Sequence, residues 1–357
     1  MPVNLREFEA LAREIVTPMA WAYYAGGAND EITLREADRA WERFRIRPRV
    51  LVDVSAVDTR TSVLGTPLAF PVLTAPCALN QLAHADGEVA VARAAATCGI
   101  VQVLSTASST GLEEIAAAVP APRWFQLYCY KDLAITEDLV RRAEAAGCTA
   151  ICLTVDVPIL GRREREVRAS FAPPAGVTMK ILERYATDEM HAAPGSSALA
   201  HYVASRWDAS LTWDVVGWLR SRTKLPIVLK GILTGEDAAL AVEHGAHAVV
   251  VSTHGGRQLD RIIASADALA EVVGAVQGRA EVLVDGGIRR GTDILVALAL
   301  GARAVLVGRP YLWGLAVNGE AGVTHVLTLL RDEFALAMAL SGCASVPLIS
   351  RNALARG

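Results

Sequence analysis

The chemistry of this chain is concentrated in a few short segments. Ser252-Thr-His-Gly-Gly-Arg-Gln-Leu-Asp260 carries a histidine, an arginine three residues further on and a Gly-Gly turn. His254 can take a proton near neutral pH, and the guanidinium fork of Arg257 matches a planar carboxylate. The pair therefore suits proton abstraction from a carboxylate-bearing substrate. Two glycine–arginine loops come later, Asp285-Gly-Gly-Ile-Arg-Arg-Gly291 and Gly308-Arg309-Pro310. Glycines let backbone N–H groups approach an anion, a helix N-terminus follows, and Arg289 and Arg309 are spaced to clamp phosphate oxygens. Lys230 directly follows Ile-Val-Leu and precedes Gly231. It reads as a fixed positive charge or as a Schiff-base amine; the phosphate loops fit either, and the histidine segment decides for proton abstraction.

Groups so far apart in sequence need a scaffold that gathers them, and the hydrophobic pattern supplies one. Eight short apolar runs recur: Phe70–Ala75, Ile100–Leu104, Trp124–Tyr128, Ala150–Val155, Pro226–Leu229, Ala248–Val251, Glu281–Val284 and Ala304–Val307. Most are rich in Val, Ile and Leu without polar alternation, the pattern of parallel strands buried on both faces. Ala-rich amphipathic stretches lie between them, among them Gly87–Thr97, Asp138–Ala146, Glu236–Glu243 and Gly291–Leu300, and several stop at a glycine. Eight strand–helix units in series predict an α/β fold, a closed (β/α)8 TIM barrel. An open doubly wound sheet is the alternative, weakened because no G-x-G-x-x-G follows the first strand.

Barrel enzymes keep their sites at the C-terminal strand ends, and here those ends carry polar groups. In chain order they are Ser105, Gln126 with Tyr128, Thr154 with Asp156, Lys230, Ser252 with His254 and Arg257, Asp285, and Arg309. The loops after strands seven and eight are the usual phosphate site of such a barrel. Two regions break the rhythm of a single domain spanning 1–357. Residues 1–69 are expected to form an N-terminal helical cap against the bottom or side of a barrel at 70–340. The fourth connection, 158–208, is long enough to be a lid insertion over the mouth.

Bulk properties narrow the function. A net charge of −3 supplies no basic field for nucleic acid. No apolar run is long and charge-free enough to span a bilayer, and the opening MPVNLREFEALAREI lacks the order of a signal peptide. Six cysteines without C-x-x-C spacing read as reduced thiols of a cytoplasmic protein, with neither a disulfide frame nor a metal site.

Seven motifs, in order along the chain, carry a resemblance: Trp124-Phe-Gln-Leu-Tyr128, Leu153-Thr-Val-Asp156, Gly161-Arg-Arg-Glu164, Leu229-Lys-Gly231, His254-Gly-Gly-Arg-Gln-Leu-Asp260, Asp285-Gly-Gly-Ile-Arg-Arg-Gly291 and Val307-Gly-Arg-Pro310. The chain resembles the FMN-dependent α-hydroxy acid oxidase and dehydrogenase family, which includes glycolate oxidase, lactate oxidase and mandelate dehydrogenase. That resemblance implies FMN as cofactor and His254 as the base that removes a proton during two-electron transfer to the flavin. Asp156 would stabilise the imidazolium, and Tyr128 would contact the substrate hydroxyl or developing carbonyl oxygen. Arg163, Arg257 and Tyr23 would hold the substrate carboxylate. Lys230 would sit at the N1–C2=O edge of the flavin ring. Ser105, Gln126 and Thr154 would hydrogen-bond the ring, with Ala75, Pro76, Cys77 and Ala78 passing along it. Ser252 and Asp285 complete the cofactor set, Asp285 at the ribityl chain, with Gly287, Arg289, Gly308 and Arg309 at the phosphate.

Departures from the family pattern bear on the substrate. Ala107 stands where glycolate oxidase has a tryptophan, and Pro76-Cys-Ala-Leu-Asn80 and Leu104-Ser-Thr-Ala-Ser108 look more like mandelate dehydrogenase. The expected reaction is oxidation of an (S)-2-hydroxy acid with a bulky or aromatic side chain, with oxygen or a quinone as electron acceptor. A small-acid (lactate or glycolate) oxidase and a non-oxidative FMN barrel enzyme are the alternatives. Thr253 replaces the asparagine of many members, so an altered rate or specificity is expected. Membrane-bound mandelate dehydrogenase has an apolar insertion in the fourth connection. Here that connection holds Glu183, Arg184, Asp188 and Glu189, which implies a soluble protein, and the family's usual state implies a homotetramer.

Overall fold

A computed structural model describes residues 1–185 and 195–355. β1 (Thr61–Val63) and β2 (Thr66–Leu68) form an antiparallel hairpin. The remaining strands are β3 (Val72–Thr74), β4 (Val101–Ser105), β5 (Arg123–Leu127), β6 (Ala150–Thr154), β7 (Ile227–Ile232), β8 (Ala248–Val251), β9 (Glu281–Asp285) and β10 (Ala304–Val307). They close into a parallel barrel in chain order, β10 pairing back onto β3. These are the eight runs read from the sequence, with ends displaced by a few residues, so the closed barrel replaces the open-sheet alternative. The cause is plain in β8, Ala-Val-Val-Val, buried at every position and too short for a helix.

The helices are α1 (Leu5–Ile15), α2 (Pro18–Ala25), α3 (Ile32–Glu42), α4 (Gly87–Thr97), α5 (Leu112–Ala118), α6 (Leu133–Ala145), α7 (Glu164–Arg168), α8 (Ala198–Arg206), α9 (Asp214–Arg220), α10 (Gly235–Glu243), α11 (Ser265–Val276), α12 (Gly291–Ala299) and α13 (Arg309–Ser341). α13 breaks at Asn318–Gly319. Leu73, Val103, Trp124, Cys152, Val228, Val250 and Leu306 fill the barrel interior, so it is a packed core and not a pore.

Placement of the whole cap at the bottom or side differs from the structure. Only the hairpin plugs the bottom: Val63 and Leu68 join the interior cluster, and the Leu64 N–H donates to Glu281 at the start of β9 (3.0 Å). α1 packs on the side, against α13. α2 and α3 instead reach the mouth. Thr17 caps α2 and Pro18 starts it; the chain then turns at Gly26-Gly27, and the Ala28 N–H donates to Gly256 O beyond β8 (2.8 Å). Asp260 accepts from the first N–H groups of α3, Ile32 (3.2 Å) and Thr33 (2.8 Å). Periodicity reveals that helices exist but not which end of the barrel they cover.

The long fourth connection carries α7, α8 and a short 3₁₀ turn at Glu183–Tyr185. The charges read at Asp188 and Glu189 lie outside the described residues. Among those described, no helix is long and apolar enough to cross a membrane.

Candidate active site

β6 and β8 flank β7, so residues just past their ends meet across it. Asp156 Oδ1 lies 2.9 Å from His254 Nδ1. Gly231 of β7 makes the approach possible: its φ is +113°, and a Cβ there would lie 2.6 Å from Asp156 Cβ. His254 itself has φ +54°, a left-handed conformation that costs a β-carbon residue about 1–3 kcal/mol and recurs at functional sites. Its backbone N–H is fixed by Ser252 Oγ (3.1 Å), which also accepts from Lys230 Nζ (2.8 Å). With Nδ1 engaged by Asp156, Nε2 is left to take a proton. Burial pulls the imidazole below its ordinary pKa, against the opposing pull of Asp156. Burial pushes Asp156 up, but the imidazole and Lys230 outweigh it and hold the carboxyl below its ordinary value. At neutral pH the pair is therefore a carboxylate bonded to a neutral base.

Arg163 precedes α7 and Arg257 follows the β8 turn, and both line the same cavity as His254. Arg257 donates to the Tyr23 carbonyl, to Gly26 O (2.9 Å) and to Glu166 Oε1 (2.9 Å), and its guanidinium lies over the Tyr23 ring at 5.0 Å. Arg163 donates to Arg257 O (3.2 Å) and Gln258 Oε1 (3.3 Å) and pairs with Glu166 (3.4 Å). Desolvation, then Arg257, pulls the Arg163 pKa down. Burial pushes the Tyr23 phenol up to about 12 and raises Tyr128 as well, so both hydroxyls stay protonated and can donate. Sequence reading missed Glu166, whose spacing of three from Arg163 on a short helix was the available signal.

Past the ends of β7, β9 and β10 the cavity lining is positive and anion-ready. Lys230 is buried and 3.2 Å from Asp285 Oδ2. Burial pulls its pKa down, but Asp285 and Asp156 outweigh that and hold it above the ordinary lysine value. Asp285 Oδ1 is buried without a partner, an acceptor suited to a hydroxyl donor. Arg309 donates to three carbonyls, of Tyr24 (2.8 Å), Gly255 (3.0 Å) and Gly26 (3.0 Å), and to no carboxylate among the described residues. Desolvation, with repulsion from Arg257 and Arg289, pulls its pKa down to about 9. Such a cluster of cations beside the uncapped N-terminus of α13 calls for an anion. The polyol-ready acceptor and the cation cluster together fit a ribityl phosphate. Gly287 also has a packing reason: a Cβ there would lie 2.0 Å from Ala37 O of α3.

The cavity encloses about 1240 Å3 of empty space, its solvent mouth included. Its lining brings together Tyr23, Ala75, Pro76, Cys77, Ala78, Ser105, Ala107, Tyr128, Arg163, Lys230, His254, Arg257, Asp285, Gly287, Arg289, Gly308 and Arg309. Asp156, Gln126, Thr154 and Ser252 stand one layer behind. Gln126 accepts from Ser105 Oγ (3.3 Å) and donates to Thr154 Oγ1 (3.0 Å), locking β4, β5 and β6 together under the floor. Leu160, Met179, Leu199 and Trp207 of the fourth connection also line the cavity, none of them singled out from sequence. Trp207 stacks on Tyr128 with ring centroids 3.7 Å apart. Thr253 is buried beside the base, and its Oγ1 has no partner.

The FMN-dependent dehydrogenase family profile matches residues 12–356. An L-lactate oxidase of Nostoc sp. is 55% identical over 357 residues, covering 99% of this chain and 98% of that protein. Glycolate oxidase 1 of Zea mays is 51% identical, covering 98% of this chain and 94% of the maize enzyme. Among solved structures, mandelate oxidase with (S)-4-hydroxymandelic acid superimposes with a TM-score of 0.95 at 46% identity, covering 99% of this chain and 98% of that one. Matched nearly end to end at such identities, the chain belongs to the FMN-dependent α-hydroxy acid oxidase family, and FMN is its cofactor.

Proposed function

We propose that this protein oxidises the CH–OH carbon of an (S)-2-hydroxy acid with an apolar side chain, with room for an aromatic ring, and passes the electrons to oxygen. The observation that carries the reading is a neutral base on a fixed carboxylate, lining one cavity with two arginines, Ala107 and several apolar side chains. Bound FMN supplies the two-electron acceptor. Lys230 would stand at the ring edge where negative charge grows, Asp285 would take the ribityl hydroxyls, and Arg289, Arg309 and the α13 N-terminus would hold the phosphate. Arg163, Arg257 and Tyr23 take the substrate carboxylate, which presents the α-carbon to His254. His254 Nε2 removes one proton, and Asp156 stabilises the imidazolium that results. Tyr128 donates to the substrate oxygen as it becomes a carbonyl. The oxidase names of the relatives support oxygen as acceptor.

The test is the visible spectrum of the purified protein without oxygen, before and after S-mandelate, with L-lactate and glycolate in parallel. Bleaching by mandelate, reversed by air, is the expected result. Bleaching by lactate alone favours a second reading, a small-acid oxidase. The 55% identical lactate oxidase supports that reading.

Two substitutions probe the cavity lining and the base. Ala107→Trp fills the apolar side of the cavity, so aromatic acids lose at least about tenfold in kcat/KM while glycolate is spared. Equal loss for both substrates shows that position 107 does not read the side chain. Thr253→Asn places an amide where a buried hydroxyl now has no partner. One gained hydrogen bond of about 1 kcal/mol beside the base changes turnover or substrate preference by about fivefold. Unchanged steady-state kinetics across the acid panel dismiss a role for this residue.

A further inference from the structure

We propose that Glu166 sets the charge of the carboxylate subsite: it cancels one of the two positive charges of Arg163 and Arg257, which matches the subsite to a single carboxylate, and it pins both guanidinium groups. This rests on the reading that those two arginines receive the substrate carboxylate. Glu166 is 0% exposed. Its Oε1 lies 2.9 Å from Arg257 Nη2 and 3.4 Å from Arg163 Nη1, and its Oε2 accepts from Ser197 Oγ at 3.4 Å. Among the described residues it is the sole carboxylate paired with either arginine, whose other acceptors are carbonyls and the Gln258 amide oxygen. Arg309, which meets Arg257 at the Gly26 carbonyl, is on the same reading committed to the cofactor phosphate, so two cations against one anion leave one positive charge for the ligand. A monocarboxylate completes the balance; a second carboxylate would enter uncompensated.

Glu166 touches neither the reacting atoms nor the cofactor side of the cavity. It is a positioning residue that acts through the arginines, and its signature is selectivity between anions of different charge. Oxalate and oxamate have nearly the same shape, differ by one negative charge, and lack an α-hydrogen to lose. Each is titrated against the flavin absorbance of the loaded enzyme. In Glu166→Gln the preference for oxalate over oxamate rises about tenfold or more, because the extra positive charge lies a few ångströms from the dianion in a poorly solvated site. Glu166→Asp keeps the charge and stays near the wild-type ratio. A structural role alone weakens both anions alike, and a ratio within twofold of wild type overturns the proposal. Should Glu166→Gln fail to fold, Arg163→Met and Arg163→Met/Glu166→Gln read the same quantity. The oxalate preference rises about tenfold from the first to the second, and a rise under twofold overturns the proposal. Wild-type flavin reduction by 2-hydroxy acids is measured alongside: no reduction with a shifted ratio rejects the functional reading, and reduction with an unshifted ratio rejects the role of Glu166.

Discussion

Replacing His254 with glutamine lowers flavin reduction by a 2-hydroxy acid by about 10²–10⁴-fold, the usual contribution of a positioned base. Glutamine keeps a polar side chain of similar reach but takes no proton, and the cation cluster that suits the cofactor phosphate is made of other side chains, with Arg309 held by backbone carbonyls that the substitution leaves in place. Flavin content therefore stays at the wild-type level, which separates lost chemistry from lost cofactor. The pH profile gives the same residue a second signature. Because burial holds the imidazole below its ordinary value, the acid limb of kcat/KM lies below the 6.5 of a free imidazole. Activity is present above that limb and is lost as pH falls and His254 protonates. Asp156→Asn removes the charge that opposes the burial effect, so the limb moves to still lower pH while the rate falls, since a weaker base takes the proton less readily. A limb above 6.5, or one that Asp156→Asn leaves in place, shows that another group controls the rate. Stopped-flow reduction across pH in both proteins decides the matter.

Strand positions were legible because a parallel barrel strand writes itself locally: four or five apolar residues, then a polar one at the exit. That local grammar located His254, Lys230, Asp285 and Arg309 at strand ends that do converge on one cavity, and Asp156 one layer behind it against His254. What stayed hidden depends on pairings between distant segments. Glu166 reads as one charge among several in Glu164–Arg168, and its burial is visible only once α7 lies against the β8 turn. Met179, Leu199 and Trp207 sit in a connection with no strand to fix their direction, so their place in the wall follows from its docking, including Lys131 Nζ donating to Ala204 O (2.9 Å) and Ser205 O (3.1 Å). The position of α2 and α3 over the mouth was equally unreadable. It is set by backbone bonds to Gly256 and side-chain bonds from Asp260, contacts more than two hundred residues away in the chain.

Lys230→Met has the largest expected effect on the folded state. Lys230 and Asp285 form a buried pair, and Asp285 Oδ1 already has no partner, so removing the ammonium leaves a carboxylate with none at either oxygen. Breaking a buried ion pair from one side costs about 3–5 kcal/mol, because the orphaned charge keeps its full desolvation penalty. Chemical denaturation of the variant should show a loss of that size, and the protein should be purified with little flavin. The double variant Lys230→Met/Asp285→Leu separates the two consequences. Apolar side chains of similar volume tolerate burial, so most of the stability returns. Flavin affinity does not return if, as proposed, Lys230 is the positive charge at the ring edge and Asp285 the acceptor for the ribityl chain. A double variant that binds and reduces flavin like wild type means that the pair serves only the fold. A single variant as stable as wild type means that Asp285 finds a partner or a proton on its own, and the charge balance at the barrel mouth must then be set by other groups.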